Sequence, residues 1–243
     1  MDKPSVPLFL NRIEMIILES MQTILTLDIG NTSVDACTFD GKELKYLGKF
    51  AHEELDKLLL AYDNILACSV KPSLNYKLND AHIFTPEEVP IKTAFIGKER
   101  VGMDRLLNLY GALEFYSESC LLISCGTALV VDVLVDGVFE GGFINLGLGA
   151  RLRCLSEKAE LIPLFSLEEL DVPLGKDTKS AILGGLKKEV FYYIEGLLRE
   201  LKARYTKDFT IVITGGDGWF LKSFGLYDPL LVHKAMLRLR KLL

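Results

Sequence analysis

No C-x-x-C pair occurs in this sequence, and its five cysteines, at 37, 68, 120, 125 and 154, leave an odd one over. That pattern argues against a zinc site or a disulfide framework and for a reducing, cytoplasmic setting. Basic charge is not in excess: 28 Lys and Arg stand against 33 Asp and Glu, a net charge of -5. Nothing in that balance points to a nucleic acid or an anionic membrane as partner. No apolar run reaches the roughly 18 residues of a spanning helix; residues 121–135 come nearest and are broken by Asp132. The first apolar stretch is a poor signal peptide, because Asn11, Arg12 and Glu14 interrupt it. Neither G-x-x-x-x-G-K-[ST] nor G-x-G-x-x-G is present, which argues against P-loop and Rossmann phosphate sites. The three histidines, His52, His82 and His233, lack the i, i+4 spacing of a metal pair and read as surface or packing residues.

What is present is globular in composition, 49% apolar and 25% charged, over 243 residues. That length suits one large domain or two modest lobes. Strand signals at 24–27 and 33–39 flank Asp28-Ile29-Gly30-Asn31-Thr32, and Asp40-Gly41 reads as a two-residue hairpin turn before a strand at 45–50. A helix over 53–61, a buried strand over 64–69 and a helix opening near Met103 follow. The opening pattern then returns: shifted by 96 residues, Ser124 falls on Asp28, Gly126 on Gly30 and Asp136-Gly137 on Asp40-Gly41. This repetition predicts an internal duplication and an α/β protein of two similar lobes, residues 21–115 and 116–243. A long helix over 179–205, a strand over 209–213 and a C-terminal helix complete the second lobe. Residues 1–20 are either a real arm or an upstream start wrongly chosen, since Met21 would begin the chain at strand one.

Two glycine loops, Gly30-Asn31-Thr32 and Gly126-Thr127-Ala128, would let backbone N–H groups approach phosphates, one loop from each lobe. Asp28, at a strand end, is placed to bind a phosphate-bound divalent cation. Thr214-Gly215-Gly216 offers either a flat surface for a purine or tight packing of helix on strand. Asp104 reads as a residue that caps the helix or complements its dipole, paired with Arg105, or as a general base beside an anion-holding Arg105. Cys125 reads as a small core residue. Lys234, Arg238, Arg240 and Lys241 read as a solvated face.

Asp28-Ile29-Gly30-Asn31-Thr32-Ser33, Gly102-Met103-Asp104-Arg105, Gly126-Thr127-Ala128 with Asp132, Gly141-Gly142 and Thr214-Gly215-Gly216 stand in one order. In that order the sequence resembles the type III pantothenate kinases over about residues 22–236. Gly175-Lys176-Asp177-Thr178 and Asp228-Pro229-Leu230 are similar to that family as well. The resemblance implies two duplicated actin-like (ribonuclease H-like) lobes with a nucleotide cleft between them. It implies ATP-dependent phosphorylation of pantothenate to 4'-phosphopantothenate, the first step to coenzyme A, by a homodimer using Mg²⁺ and a monovalent cation, K⁺ or NH₄⁺. Asp28, Ile29, Gly30, Asn31, Thr32, Ser33, Val34 and Asp35 would form the first phosphate loop, with Asp28 toward Mg²⁺, and Thr127 would contact ATP in the second. Gly102, Met103, Asp104 and Arg105 would touch pantothenate, Asp104 as the base, and Thr178 would reach it from the dimer partner.

Three positions depart from the family. Ser124 stands where the family has an Asp associated with the monovalent cation, and a neutral hydroxyl is the weaker ligand. Val130 replaces a Thr near the phosphates. Phe95 replaces a pantothenate-contacting Tyr, keeping the ring and losing one hydrogen bond, a net loss of about 0.5–1.5 kcal/mol. A non-catalytic accessory relative, or another actin-like small-molecule kinase, would share the loops; the retained Asp104-Arg105 pair favours the pantothenate kinase.

Overall fold

In the computed structural model, which describes residues 23–94 and 96–243, the apolar alternation of residues 24–50 folds into an antiparallel meander. Its strands are β1 (Ile24–Ile29), β2 (Val34–Phe39) and β3 (Leu44–Phe50). The N-terminal extension and Phe95 lie outside the described residues. The crossover from β3 carries a 3₁₀ turn, His52–Glu54, and a short helix, α1 (Leu55–Leu60), which buries Leu55 and Leu58. β4 (Asn64–Ser69) then pairs parallel with β1, and β5 (His82–Ile83) parallel with β4. The sheet order is β3-β2-β1-β4-β5, over a core of Leu25, Leu27, Ile29, Val34, Leu55 and Ile65.

A second sheet repeats that arrangement. β6 (Lys92–Thr93) precedes helix α2 (Met103–Phe115), which leads to β7 (Cys120–Cys125), β8 (Ala128–Val135) and β9 (Val138–Leu146). Helices α3 (Leu148–Lys158) and α4 (Thr178–Tyr205) come next, then β10 (Thr210–Thr214), β11 (Leu226–Tyr227) and helix α5 (Leu231–Leu239). The order β11-β10-β7-β8-β9-β6 is the first sheet's order with one strand added at an edge. β7, β8 and β9 again form an antiparallel meander, while β10 is parallel to β7 and β11 to β10. The 96-residue shift places Ile24–Ile29 on Cys120–Cys125, so the duplication holds strand for strand.

The two Asp-Gly turns differ. Asp136 and Gly137 both have positive φ, 50° and 74°, as a two-residue hairpin requires. At the earlier turn only Gly41 does (φ 92°). There a four-residue connection is held by Asp40 Oδ1, which accepts the N–H groups of Lys42 and Glu43 at 2.8 Å each.

The chain divides into two compact units, one running through Thr85 and including Met236–Leu243, the other Pro86–Ala235. The sequence put the boundary near 110–120. It falls earlier because α2 packs on β7 and β8 and so belongs with the second sheet. Among the described residues no helix is long and apolar enough to cross a membrane.

Candidate active site

In the first unit Asp28 on β1 stands directly opposite Asp35 on β2. Directly paired residues of a hairpin share a face. Leu27, Ile29, Val34 and Ala36 are buried on the other face, which leaves the two carboxylates on one side at the loop end. Asp35 accepts a hydrogen bond from Tyr46 Oη at 2.7 Å and lies 3.7 Å from Lys49 Nζ. Between the strands, Gly30 donates its N–H to Ser33 O at 3.0 Å, and Asn31 and Thr32 are exposed. His52 Nε2 lies 3.0 Å from Gly30 O, and Lys71 Nζ donates to Asn31 O at 3.2 Å. His52, expected as a surface or packing residue, sits against the Gly30–Ser33 loop. A single histidine 22 residues away along the chain carries no local signal of that contact.

The matching hairpin of the second unit is one residue tighter, with Cys125 opposite Leu129 where the first pairs Ile29 with Val34. As a result Ser124 faces Val130 in the place of the facing Asp28 and Asp35. Ser124 Oγ is buried with no hydrogen-bond partner among the described residues. Gly126 and Thr127 are exposed at the loop tip. Three segments are tied together here: Gly147 N–H donates to Thr127 O at 2.9 Å, Asp217 N–H to Cys125 O at 3.1 Å, and Gly149 N–H to Asp217 Oδ2 at 3.3 Å. Asp217 thus satisfies an open N–H in the first turn of α3 and sets a carboxylate at its positive end. Gly215 has φ 85°, and a Cβ there would stand 2.3 Å from Cys125 O, so close packing of β10 against the hairpin accounts for this glycine. Cys125 lies in the core, and burial pushes its thiol up to about 12. That fits the packing role expected of it and leaves no thiolate at neutral pH.

Asp104 is not a cap. Gly102 is the N-cap of α2, and Asp104 sits at the second helical position, where its carboxylate complements the helix dipole. Its Oδ1 accepts the Arg105 N–H at 2.8 Å. Arg105 turns its guanidinium elsewhere, with Nη2 2.6 Å from Asp132 Oδ1 and Nε 3.2 Å from Asp132 Oδ2. This is a two-pronged pair with almost no solvent access, 11% for the Arg side chain and 1% for the Asp. The Arg105 head also lies 5.7 Å from the Phe139 ring centre. Asp132 faces Gly142 across β8 and β9, and a Cβ on Gly142 would stand 2.1 Å from Val131 O and 2.6 Å from Asp132 Oδ1. Gly142 is the space the carboxylate occupies. Burial pushes the Asp104 carboxyl above the usual carboxylate range, opposed by the Arg105 N–H and the Arg105 charge.

Thr178 is the first residue of α4, exposed, and makes no hydrogen bond with the Asp104–Arg105–Asp132 cluster. Asp177 before it caps α4, accepting Ser180 N–H at 2.9 Å. Lys234, expected on a solvated face, instead donates to buried Asp228 at 2.8 Å, an atom that also accepts Tyr116 Oη at 2.8 Å.

Two sheets of matching topology, each with a glycine loop at its first hairpin, define a duplicated α/β fold. Solved structures agree in fold. A Campylobacter jejuni protein described as a Baf-family transcriptional activator superposes with TM-score 0.66 at 22% identity, over 89% of this chain and 97% of that one. A Sinorhizobium meliloti protein described as a 2-dehydro-3-deoxygalactonokinase gives TM-score 0.53 at 15% identity, over 90% and 96%. The family profile described as type III pantothenate kinase matches residues 24–200. A type III pantothenate kinase of Aquifex aeolicus is 40% identical over 216 residues, 87% of this chain and 94% of that protein. One of Petrotoga mobilis is 30% identical over 247 residues, 88% and 96%. The chain belongs to the type III pantothenate kinase family.

Proposed function

We infer that this chain transfers the terminal phosphoryl group of ATP to the primary hydroxyl of pantothenate, the first step toward coenzyme A. Family membership supports the reaction, and the observation that carries its local chemistry is Asp104. Phosphoryl transfer asks mainly for positioning, charge neutralisation and a group that orients the attacking hydroxyl. One oxygen of Asp104 is held by the Arg105 N–H, which leaves the other for the substrate hydroxyl. A carboxyl with raised proton affinity is suited to accept the proton as the O–P bond forms. Arg105 acts in this reading through Asp132: their pair fixes the start of α2 and keeps positive charge near the base.

Of the first unit's loop, Asp28 to Asp35, the exposed tip residues Asn31 and Thr32 are proposed to meet phosphate, and exposed Thr127 of the second unit is separately proposed to contact ATP. Asp28 fits Mg²⁺, since its carboxylate faces a second one, Asp35, at the loop end and supplies the hard oxygen donors that ion takes. Bound there, Mg²⁺ would neutralise phosphate charge. A carboxylate-held K⁺ or NH₄⁺ does not fit at Ser124, where one neutral hydroxyl faces Val130. Pantothenate is proposed to contact Gly102, Met103 and Arg105 as well as Asp104. A homodimer, with Thr178 reaching the partner's site, is supported by exposed Phe143, Ile144 and Leu146 along β9. A cytoplasmic location belongs to the same proposal.

The test is ADP release by the purified chain with ATP and Mg²⁺, with and without pantothenate. Pantothenate-dependent release is expected. Folded, ATP-binding protein that releases no ADP on adding pantothenate would overturn the reading.

A further inference from the structure

We propose that His52 and Lys71 act together as positioning residues that brace the first phosphate loop for ATP. The inference rests on the reading of Gly30–Ser33 as a phosphate loop and adds two residues to it.

The hydrogen-bond chemistry of the pair is determined by its neighbours. Gly30 O is a carbonyl oxygen and can only accept, so His52 Nε2, 3.0 Å away, carries the hydrogen. Lys71 Nζ is an ammonium and can only donate, so His52 Nδ1, 3.2 Å away, carries the lone pair. One neutral tautomer satisfies both contacts, and the Lys71 ammonium fixes it. A further donor of the same ammonium reaches Asn31 O at 3.2 Å. Consecutive loop carbonyls, Gly30 and Asn31, are therefore both tied back to side chains anchored outside the loop. His52 opens the 3₁₀ turn after β3, and Lys71 follows β4.

Tying the carbonyls fixes the amides. In a trans planar peptide the C=O of one residue and the N–H of the next point to opposite sides. Holding Gly30 O and Asn31 O therefore sets the directions of the Asn31 and Thr32 N–H groups, the donors a phosphate oxygen would meet at this exposed tip. Lys71 forms no ion pair among the described residues, so its charge is not spent on a carboxylate of the chain and adds to the field at the loop. Without the brace those peptides can rotate, and ATP must order them on binding.

The experiment measures ATP affinity by calorimetry without pantothenate, then kcat and both KM values, for Lys71→Ala, Lys71→Arg, His52→Gln, His52→Ala and the His52→Ala/Lys71→Ala double variant. Loss of a charge-assisted brace is expected to weaken ATP binding by about tenfold in Lys71→Ala. KM for pantothenate and the thermal midpoint should barely move. Lys71→Arg and His52→Gln, which keep donors, should retain most of the affinity. Because the two residues are hydrogen-bonded to each other, the double variant should lose less than the sum of the two alanine singles. Unchanged ATP affinity in Lys71→Ala, equal losses for ATP and pantothenate, or fully additive losses would overturn the proposal. Since ATP binding is read separately, a chain that binds ATP through this brace but does not turn over pantothenate would sink the proposed function alone; no ATP binding by the unaltered chain would sink both.

Discussion

Asp132 and Gly142 face each other across β8 and β9 with no room for a methyl group between them, and the Asp132 carboxylate fills that gap on its way to Arg105. Gly142→Ala would have to push Val131 O or the carboxylate aside. Overpacking of this kind costs about 1–3 kcal/mol, to be read by urea unfolding. A displaced Arg105 moves the helix start that carries Asp104, and turnover should fall by about a hundredfold. An alanine variant with unaltered stability would show that the strands part freely there.

Removing Arg105 leaves Asp132 buried without its counter-charge. Arg105→Ala should destabilise the chain by about 3–5 kcal/mol, whereas the apolar pair Arg105→Met with Asp132→Leu should regain most of that stability without regaining activity. Equilibrium unfolding of the single and double variants decides this. A single variant as stable as the parent would mean that water reaches Asp132.

If Asp104 takes the hydroxyl proton, Asp104→Asn should lower kcat by roughly 10²–10⁴ with the fold intact by circular dichroism. The base must be ionised, and burial raises its proton affinity, so kcat/KM should fall on the acid side at a pH above the ordinary Asp value of 3.8. Near-parental turnover in Asp104→Asn would remove the assignment.

His233 lies buried on α5, where desolvation lowers its pKa from 6.5 to about 4. Between those values the unfolded chain binds a proton that the folded chain refuses, so stability present in full above pH 6.5 is lost as pH falls toward 4. The gap corresponds to roughly 3 kcal/mol. Urea unfolding from pH 7 to pH 4.5 should show the slope, and His233→Gln should flatten it. An equally steep profile in the variant would assign the loss to other groups.

With Ser124 facing Val130, rates in K⁺, NH₄⁺ and Na⁺ should agree within about twofold, and Ser124→Asp should introduce a preference among them. A strong K⁺ requirement in the unaltered chain would place the cation on other ligands.

Local features were legible and distant ones were not. The strands at 24–50 and 120–146 announce themselves through alternation and Asp-Gly punctuation, and the 96-residue repeat carries the topology with them. β5, β6 and β11 are two residues each, too short to make a pattern. α3 was missed because its apolar residues are few, only Leu148 and Leu152 being buried. The Asp104-Arg105 motif is visible in sequence, where Arg105 reads either as paired with Asp104 or as holding an anion; the Asp132 that its guanidinium meets lies 27 residues on and is brought near by α2 packing on β8. Gly149 and Asp217, 68 residues apart, meet because α3 packs on β8 and β10 pairs with β7, and no window of sequence reports such a pair.

Met236–Leu243 belong to the unit that begins with β1, so that unit is assembled from segments at opposite ends of the described chain. A ribosome making this protein delivers the second unit's strands before the first unit receives its closing segment. Some 150 residues, Pro86–Ala235, are made between the two segments of that unit. A fragment cut after Thr85 would therefore lack a piece of its own body, and the two sheets, though duplicates in plan, cannot be separated by a single cut in the backbone.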